Sequence, residues 1–170
     1  MKASEYNFVE CGVADGLSAF FALKEIQGHK NFLMHLYDSW SEMKKEHLYD
    51  VESNYTGRYN TLNVESTKRN LSEFKNNLIY HQGYIPKSFK DLPKSPDSIV
   101  YLHIDLNSAK ATLESLEFFY PRLIKGGVIL FDDYGWVAYE ETRKIVNDFF
   151  KDKPGALFAL PTGQAIYYHI

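Results

Sequence analysis

Residues 7–21, Asn-Phe-Val-Glu-Cys-Gly-Val-Ala-Asp-Gly-Leu-Ser-Ala-Phe-Phe, constrain the fold more than any other stretch of the chain. A short apolar run that reads as a buried parallel strand breaks at Gly12 and passes through Gly16 into helical spacing, giving a strand, a tight turn and a helix start. Gly12 can take a positive φ and lets a ligand approach the backbone, Gly16 permits close contact between turn and helix, and the free N–H groups of the new helix face the same crevice. The acid at the strand end, Glu10, makes the pattern Glu-x-Gly-x-x-x-Gly. This lacks a glycine of the dinucleotide fingerprint and sets a negative charge where a pyrophosphate would be repelled. A ligand with a cationic or hydroxylated part suits the turn better.

Strand and helix patterns alternate through the rest of the chain. A helix is expected over 17–27, ended by Gly28, followed by a buried strand over 31–37 with Asp38 at its carboxyl end. The offset of Asp38 from the glycine turn suits an acid that binds ribose hydroxyls, the alternative being a cap on the Ser39–Trp40 segment. Residues 41–65, polar and tyrosine-containing with no sustained apolar period, read as a mobile surface insertion that could act as a lid. A helix over 66–78 with Ser66 as N-cap leads to a short strand over 78–81 and a loop punctuated by Gly83 and Pro86. After a connector over 92–97 carrying two prolines, the clearest strand spans 98–105 and ends in Asp105. A helix over 109–120 stops at Pro121, Gly126-Gly127 turns the chain into a strand over 128–131, and that strand ends in Asp132-Asp133. A helix over 140–150 and a hairpin of 157–160 with 165–168 complete the pattern. The whole reads as one α/β domain over 1–170: a doubly wound, mostly parallel seven-stranded sheet with an antiparallel C-terminal hairpin.

Composition narrows the function classes. A net charge of −3 with no Lys/Arg run longer than two residues gives no electrostatic footprint for nucleic acid. The single cysteine, Cys11, excludes an intramolecular disulfide and reads as a small core residue within its strand. The N-terminus carries no apolar leader and no later stretch approaches eighteen uninterrupted apolar residues, so a cytoplasmic, membrane-free protein is expected.

Glu10, Asp38, Asp105, Asp132 and Asp133 all fall at expected carboxyl ends of strands, where open α/β sheets bind ligands. If their strands are neighbours, Asp105, Asp132 and Asp133 repel and take up protons unless a cation compensates. Oxygen-only ligands suit a hard ion such as Mg²⁺, Ca²⁺ or Mn²⁺. The competing reading has Asp132 or Asp133 capping the turn before Gly135, or pairing with Arg143 or Lys144.

With its glycine turn, its acid after the second strand and the segment Gly126-Gly127-Val128-Ile129-Leu130-Phe131-Asp132-Asp133-Tyr134-Gly135, the chain resembles class I S-adenosylmethionine-dependent methyltransferases, with their Rossmann-like fold. More narrowly, Ile104-Asp105-Leu106-Asn107-Ser108, Tyr120-Pro121-Arg122-Leu123 and Gly83-Tyr84-Ile85-Pro86-Lys87-Ser88 resemble the macrocin O-methyltransferase (TylF-like) family, from Phe8 to about Tyr168. The resemblance implies S-adenosylmethionine at the rim, with Glu10 and Gly12 near its methionyl part, Asp38 on the ribose, Gln82 and Gly83 beside the adenine, and Gly16 and Asp105 also in contact. It implies Mg²⁺ on Asp105, Asp132 and Asp133, and methyl transfer to a hydroxyl of a sugar or related small molecule. Asp105 is the nominated base, with His35 or His103 as substitutes that otherwise read as packed core residues. Asn107 and Lys87 stand where the family has acids. The family also carries helices ahead of its first strand, where six residues stand here; the alternatives are a minimal form, cover from a partner subunit as in a homo-oligomer, or a domain that does not hold its acceptor. Two rival readings are a nicotinamide-dependent oxidoreductase, for which Tyr139 with Arg143 is the nearest proton-donor pair, and a non-catalytic binding module displaying the aromatics of residues 55–59.

Overall fold

The computed structural model describes residues 6–29, 31–90 and 95–170. Residues 92–94 of the 92–97 connector therefore lie outside the described residues. Seven strands form one sheet: β1 (Tyr6–Cys11), β2 (Phe32–Asp38), β3 (Leu78–Gln82), β4 (Ile99–Ile104), β5 (Leu123–Phe131), β6 (Gly155–Ala159) and β7 (Ala165–His169). Their order is β3-β2-β1-β4-β5-β7-β6, with β7 antiparallel to both of its neighbours and all other pairs parallel. This is the expected Rossmann-like sheet. The chain reverses direction across the sheet between β1 and β4, so the crevice at their carboxyl ends is the topological switch point.

Helices cover both faces: α1 (Leu17–Ile26), α2 (Val64–Asn70), α3 (Lys87–Lys90), α4 (Ala109–Phe119) and α5 (Glu140–Phe150). Strand alternation sends Val9, Cys11, Leu102, Ile104, Ile129 and Phe131 into one core with Leu116 and Phe119 of α4 and Val146 and Phe150 of α5. Met34 and Leu36 face the other way, onto Ala19 and Leu23 of α1 and onto Leu71 and Phe74 beyond α2. Cys11 is fully buried, and burial pushes its thiol pKa up, as befits a core residue. Among the described residues no helix is long and apolar enough to cross a membrane.

Three element boundaries differ from the sequence reading. β5 starts at Leu123, not Val128: its register against β4 jumps from Ile99↔Leu123 to Tyr101↔Val128, so Gly126 and Gly127 lie in a bulge inside the strand and form no turn before it. The helix expected over 66–78 is capped by Asn63, whose side chain accepts from Ser66 N, and breaks at Leu71 into a 3-10 turn over Ser72–Asn77. β6 begins at Gly155, which directly follows Pro154 and already pairs with His169.

The 41–65 segment is not shapeless. It holds 3-10 turns over Lys45–His47 and Asp50–Tyr55, and Leu48, Glu52 and Tyr55 are buried. Glu52 anchors it: one carboxylate oxygen accepts from Ala109 N at the first turn of α4 (2.6 Å) and the other from Tyr49 N (3.1 Å). A carboxylate at a helix N-terminus answers both the free N–H groups and the helix dipole.

Candidate active site

The site is assembled from three strand ends held together by backbone hydrogen bonds. Gly12 N donates to Tyr37 O, and Asp105 N donates to Cys11 O, each at 2.8 Å. Gly12 sits at φ +86°, and a Cβ on it would lie 1.7 Å from the carbonyl oxygen of Asp105. Only glycine lets the ends of β1 and β4 approach this closely. The turn that follows is clamped by Asp38, whose Oδ2 accepts from Val13 N (2.7 Å) and Ala14 N (2.9 Å) and whose Oδ1 accepts from Trp40 N (2.6 Å). Of the two roles weighed for Asp38, the cap on the Trp40 segment is met; the three bonds fill about three of the roughly four acceptor positions of the carboxylate, and Asp38 also lines the crevice described next. Trp40 closes the turn from outside, its indole N–H reaching Ala14 O and Thr67 Oγ1.

A crevice of about 220 Å³ opens beside this turn, lined by Gly12, Ala14, Asp38, Gly83, Asp105 and Leu106 among others. Met43, His47, Leu48 and Tyr59 of the 41–65 segment form its outer wall. That wall is tied to both banks: Tyr84 hydroxyl donates to Glu42 O, Ser108 hydroxyl to His47 O, and Tyr59 hydroxyl to Asn107 Oδ1. Of the residues the sequence placed at the cofactor, Gly12, Asp38, Gly83 and Asp105 line the crevice. Three do not. Gly16 starts α1 at φ +89° and faces Leu71 and Thr67, Gln82 is exposed, and Glu10 is fully buried. Glu10 instead accepts hydrogen bonds from Ser18 Oγ and His103 Nδ1, because β1 pairs with β4 in the register Glu10↔His103.

The acids gather as expected, but not with the expected partners. Asp105 has its pKa pushed up to about 7 by burial and by the nearby Asp133 and Asp132 charges, against the pull of His103. Asp133 is pushed up to about 6 by burial, although its Oδ2 accepts from Asn107 N (2.7 Å) and Asn107 Nδ2 (2.9 Å). Asp132 Oδ1 accepts from Gln164 Nε2 (2.7 Å). Among the described residues, His103, Asp105 and Asp132 could share one ion, each offering a ligand atom within 4.8 Å of the others. Asp133 is not part of that group; its Oδ2 accepts from Asn107 N and Nδ2. The residues therefore fit a divalent cation with His103 in the place expected of Asp133. His103 has its pKa raised: burial opposes the charged form, but the Glu10 hydrogen bond and charge outweigh it.

His35 is a core residue, its ring bonded to His81 (2.9 Å) and Asn7 (3.2 Å), and burial lowers its pKa to about 4. Sequence reading missed the hub at Asn107. Its Oδ1 accepts from the hydroxyls of Tyr59 and Tyr139, whose pKa values burial raises, so both stay protonated donors and fix which way the amide points. Tyr139 is thereby committed to Asn107, and a paired proton-donor role with Arg143 has no support. The signal for the Glu10–His103 pair was present: two polar residues inside apolar strands that adjoin in the sheet.

Residues 9–134 match the family model described as a methyltransferase domain. The chain belongs to that family. This methyltransferase domain also aligns with the O-methyltransferase NovP (TM-score 0.81, 21% identity, 96% of this chain and 71% of NovP) and the calicheamicin methyltransferase CalS11 (TM-score 0.71, 19% identity, 95% and 71%). Fibrillarin from Aeropyrum pernix, solved with natively bound S-adenosyl-L-methionine, aligns at TM-score 0.58 and 12% identity over 98% of this chain and 66% of its own. At these identities the likeness is one of fold. No curated protein sequence matches the methyltransferase domain.

Proposed function

We propose that the methyltransferase domain transfers the methyl group of S-adenosylmethionine to a hydroxyl of a small molecule, a sugar or glycoside in the manner of the macrocin O-methyltransferase family. The observation that carries this reading is the meeting of Gly12, Asp38 and Asp105 on one crevice, with an apolar wall and an acid-rich end. An adenine suits the side formed by Gly83, Ile85 and Leu106; a ribose hydroxyl suits the open acceptor position on Asp38; a sulfonium suits the end nearest Asp105.

The chemical demands on the chain are modest, because the sulfonium methyl is already electrophilic. The residues must align acceptor oxygen, methyl and sulfur and exclude competing water. The 41–65 segment serves as the lid, since it already walls the crevice from both banks. A divalent cation bound at Asp105 and Asp132 would lower the pKa of an acceptor hydroxyl. Asp105 is the base that takes the proton, because it lines the crevice where the acceptor hydroxyl would sit.

The test is transfer of isotopically labelled methyl from S-adenosylmethionine to a panel of free, nucleotide-linked and glycosidic sugars, with Asp105→Asn alongside. Label should enter an alkali-stable ether on at least one acceptor and fall by 10²-fold or more, roughly, in the variant, the usual worth of a general base. Label on nitrogen or carbon, or no label on any acceptor, would rule the reading out.

A further inference from the structure

We propose that the cation site of this domain is a mixed nitrogen–oxygen centre, with His103 Nε2 as a direct ligand beside Asp105 and Asp132 and Glu10 as the buried carboxylate that positions the imidazole, and that it selects Mn²⁺, Co²⁺ or Zn²⁺ over Mg²⁺. This rests on the reading of the acid cluster as a cation site and goes beyond it in naming the ligand set and the metal class.

His103 lies two residues before Asp105 on β4, so the alternation of the strand puts both side chains on the same face, and Asp132 follows the end of neighbouring β5. A ligand atom from each of the three falls within 4.8 Å of the others. The imidazole is committed on one side only. Its Nδ1 meets Glu10 Oε1 at 3.0 Å, while its Nε2 has no hydrogen-bond partner among the described residues although the side chain is only 6% exposed. A buried polar atom left unpaired is costly, and it is the position a metal ion would fill. Glu10 is equally withdrawn from solvent, at 0% exposure; its Oε1 also accepts from Ser18 Oγ at the start of α1, and its Oε2 has no hydrogen-bond partner among the described residues. A carboxylate behind an imidazole whose second nitrogen is free is the arrangement that orients metal-binding histidines and strengthens them as ligands.

The two acids are prepared in the same way. Asp105 Oδ1 accepts from Asn107 Nδ2 (3.2 Å) and Asp132 Oδ1 from Gln164 Nε2 (2.7 Å), which leaves the second oxygen of each without a hydrogen bond among the described residues. One nitrogen and two oxygens converge, each held from behind by a different side chain. An all-carboxylate set would suit Mg²⁺, which takes oxygen ligands in a strict octahedron, whereas an imidazole in the set shifts preference towards the first-row transition ions. Asp105 also lines the crevice, so the ion would sit at its acid-rich end.

Pulsed electron paramagnetic resonance on the wild-type chain loaded with Mn²⁺ tests the ligand set directly. Hyperfine coupling to a directly bound imidazole ¹⁴N is expected, and a Mn²⁺ signal without nitrogen coupling overturns the proposal. Calorimetric titration with Co²⁺, Mn²⁺ and Mg²⁺ should give Co²⁺ at least ~10-fold tighter than Mg²⁺; equal or inverted affinities overturn it. In His103→Gln, Co²⁺ affinity should drop by about 10–100-fold while Mg²⁺ binding changes little, and an unchanged Co²⁺ affinity in a variant with wild-type circular dichroism overturns it. If that variant does not fold, the nitrogen coupling of the wild type decides alone. S-adenosylhomocysteine titrated into the same samples separates the two readings. Binding of S-adenosylhomocysteine with no nitrogen coupling removes this proposal and spares methyl transfer; nitrogen coupling without S-adenosylhomocysteine binding does the reverse.

Discussion

Asn107 places a neutral amide between two acids whose pKa values burial has raised, and the hydroxyls of Tyr59 and Tyr139 hold it there. The consequence can be read from pH. Asp105 keeps its proton in the fold up to about pH 7, whereas the unfolded chain releases it near the ordinary value of 3.8. The native state thus binds more protons over that window, and metal-free stability falls as pH rises from about 4 to about 7. Asp105→Asn removes the repulsion: its melting temperature at pH 8 should exceed wild type by about 2–4 °C, the equivalent of ~1 kcal/mol for a domain of this size. A lower melting temperature would show that Asp105 is compensated within the chain. His35 and His81 act with the opposite sign. Burial lowers both to about 4, so they are neutral in the fold, and their contribution is present above pH 6.5 and lost as pH falls towards 4. Replacing both, His35→Leu with His81→Phe, should flatten that acid limb in a thermal melt series.

At the level of elements, the strand–turn–helix units carry the site and a long-range wall closes it. Gly12→Ala should abolish stable folding or destabilise by roughly 3 kcal/mol or more, since the new Cβ would meet the Asp105 carbonyl at 1.7 Å at a positive φ. Gly28→Ala, with nothing within 4 Å of the added carbon, should stay within about 0.5 kcal/mol in the same denaturant series. Glu52→Ala strips the anchor between the wall and the N-terminus of α4; we expect a loss of about 1–2 kcal/mol and faster limited proteolysis within residues 41–62. These contrasts explain what could be read beforehand. Apolar period and glycine placement made β1, β2, β4 and the helices between them legible, and with them Gly12, Asp38 and Asp105. The 41–65 wall has no period to read, because single contacts such as Tyr55 hydroxyl to Ala138 O hold it across the molecule. The bulge in β5 was hidden because Gly126-Gly127 carries the same local signal as a turn. Glu10 looked like a rim acid by position, yet its register against His103 draws it inward, and register is a property of two strands that neither sequence segment states alone.

Across the whole molecule, the order β3-β2-β1-β4-β5-β7-β6 gathers residues far apart in sequence along one edge: the glycine turn after β1, Asp38 after β2, Asp105 after β4 and Asp132 after β5. That edge is negative, and under the proposed function a sulfonium donor and a divalent ion neutralise it. Added Mn²⁺ should accordingly raise the melting temperature more at pH 8 than at pH 5.5, because the acids must be ionised to bind it. An equal rise at both would contradict binding at these carboxylates. The most direct test of the central claim is isothermal titration of the wild-type chain, and of Asp38→Ala, with S-adenosylhomocysteine and with NADH. One S-adenosylhomocysteine is expected to bind per wild-type chain, with affinity lowered at least about tenfold in Asp38→Ala through loss of a charged hydrogen-bond acceptor, and no heat is expected from NADH. Binding of NADH in its place, or S-adenosylhomocysteine binding indifferent to Asp38, would contradict that claim.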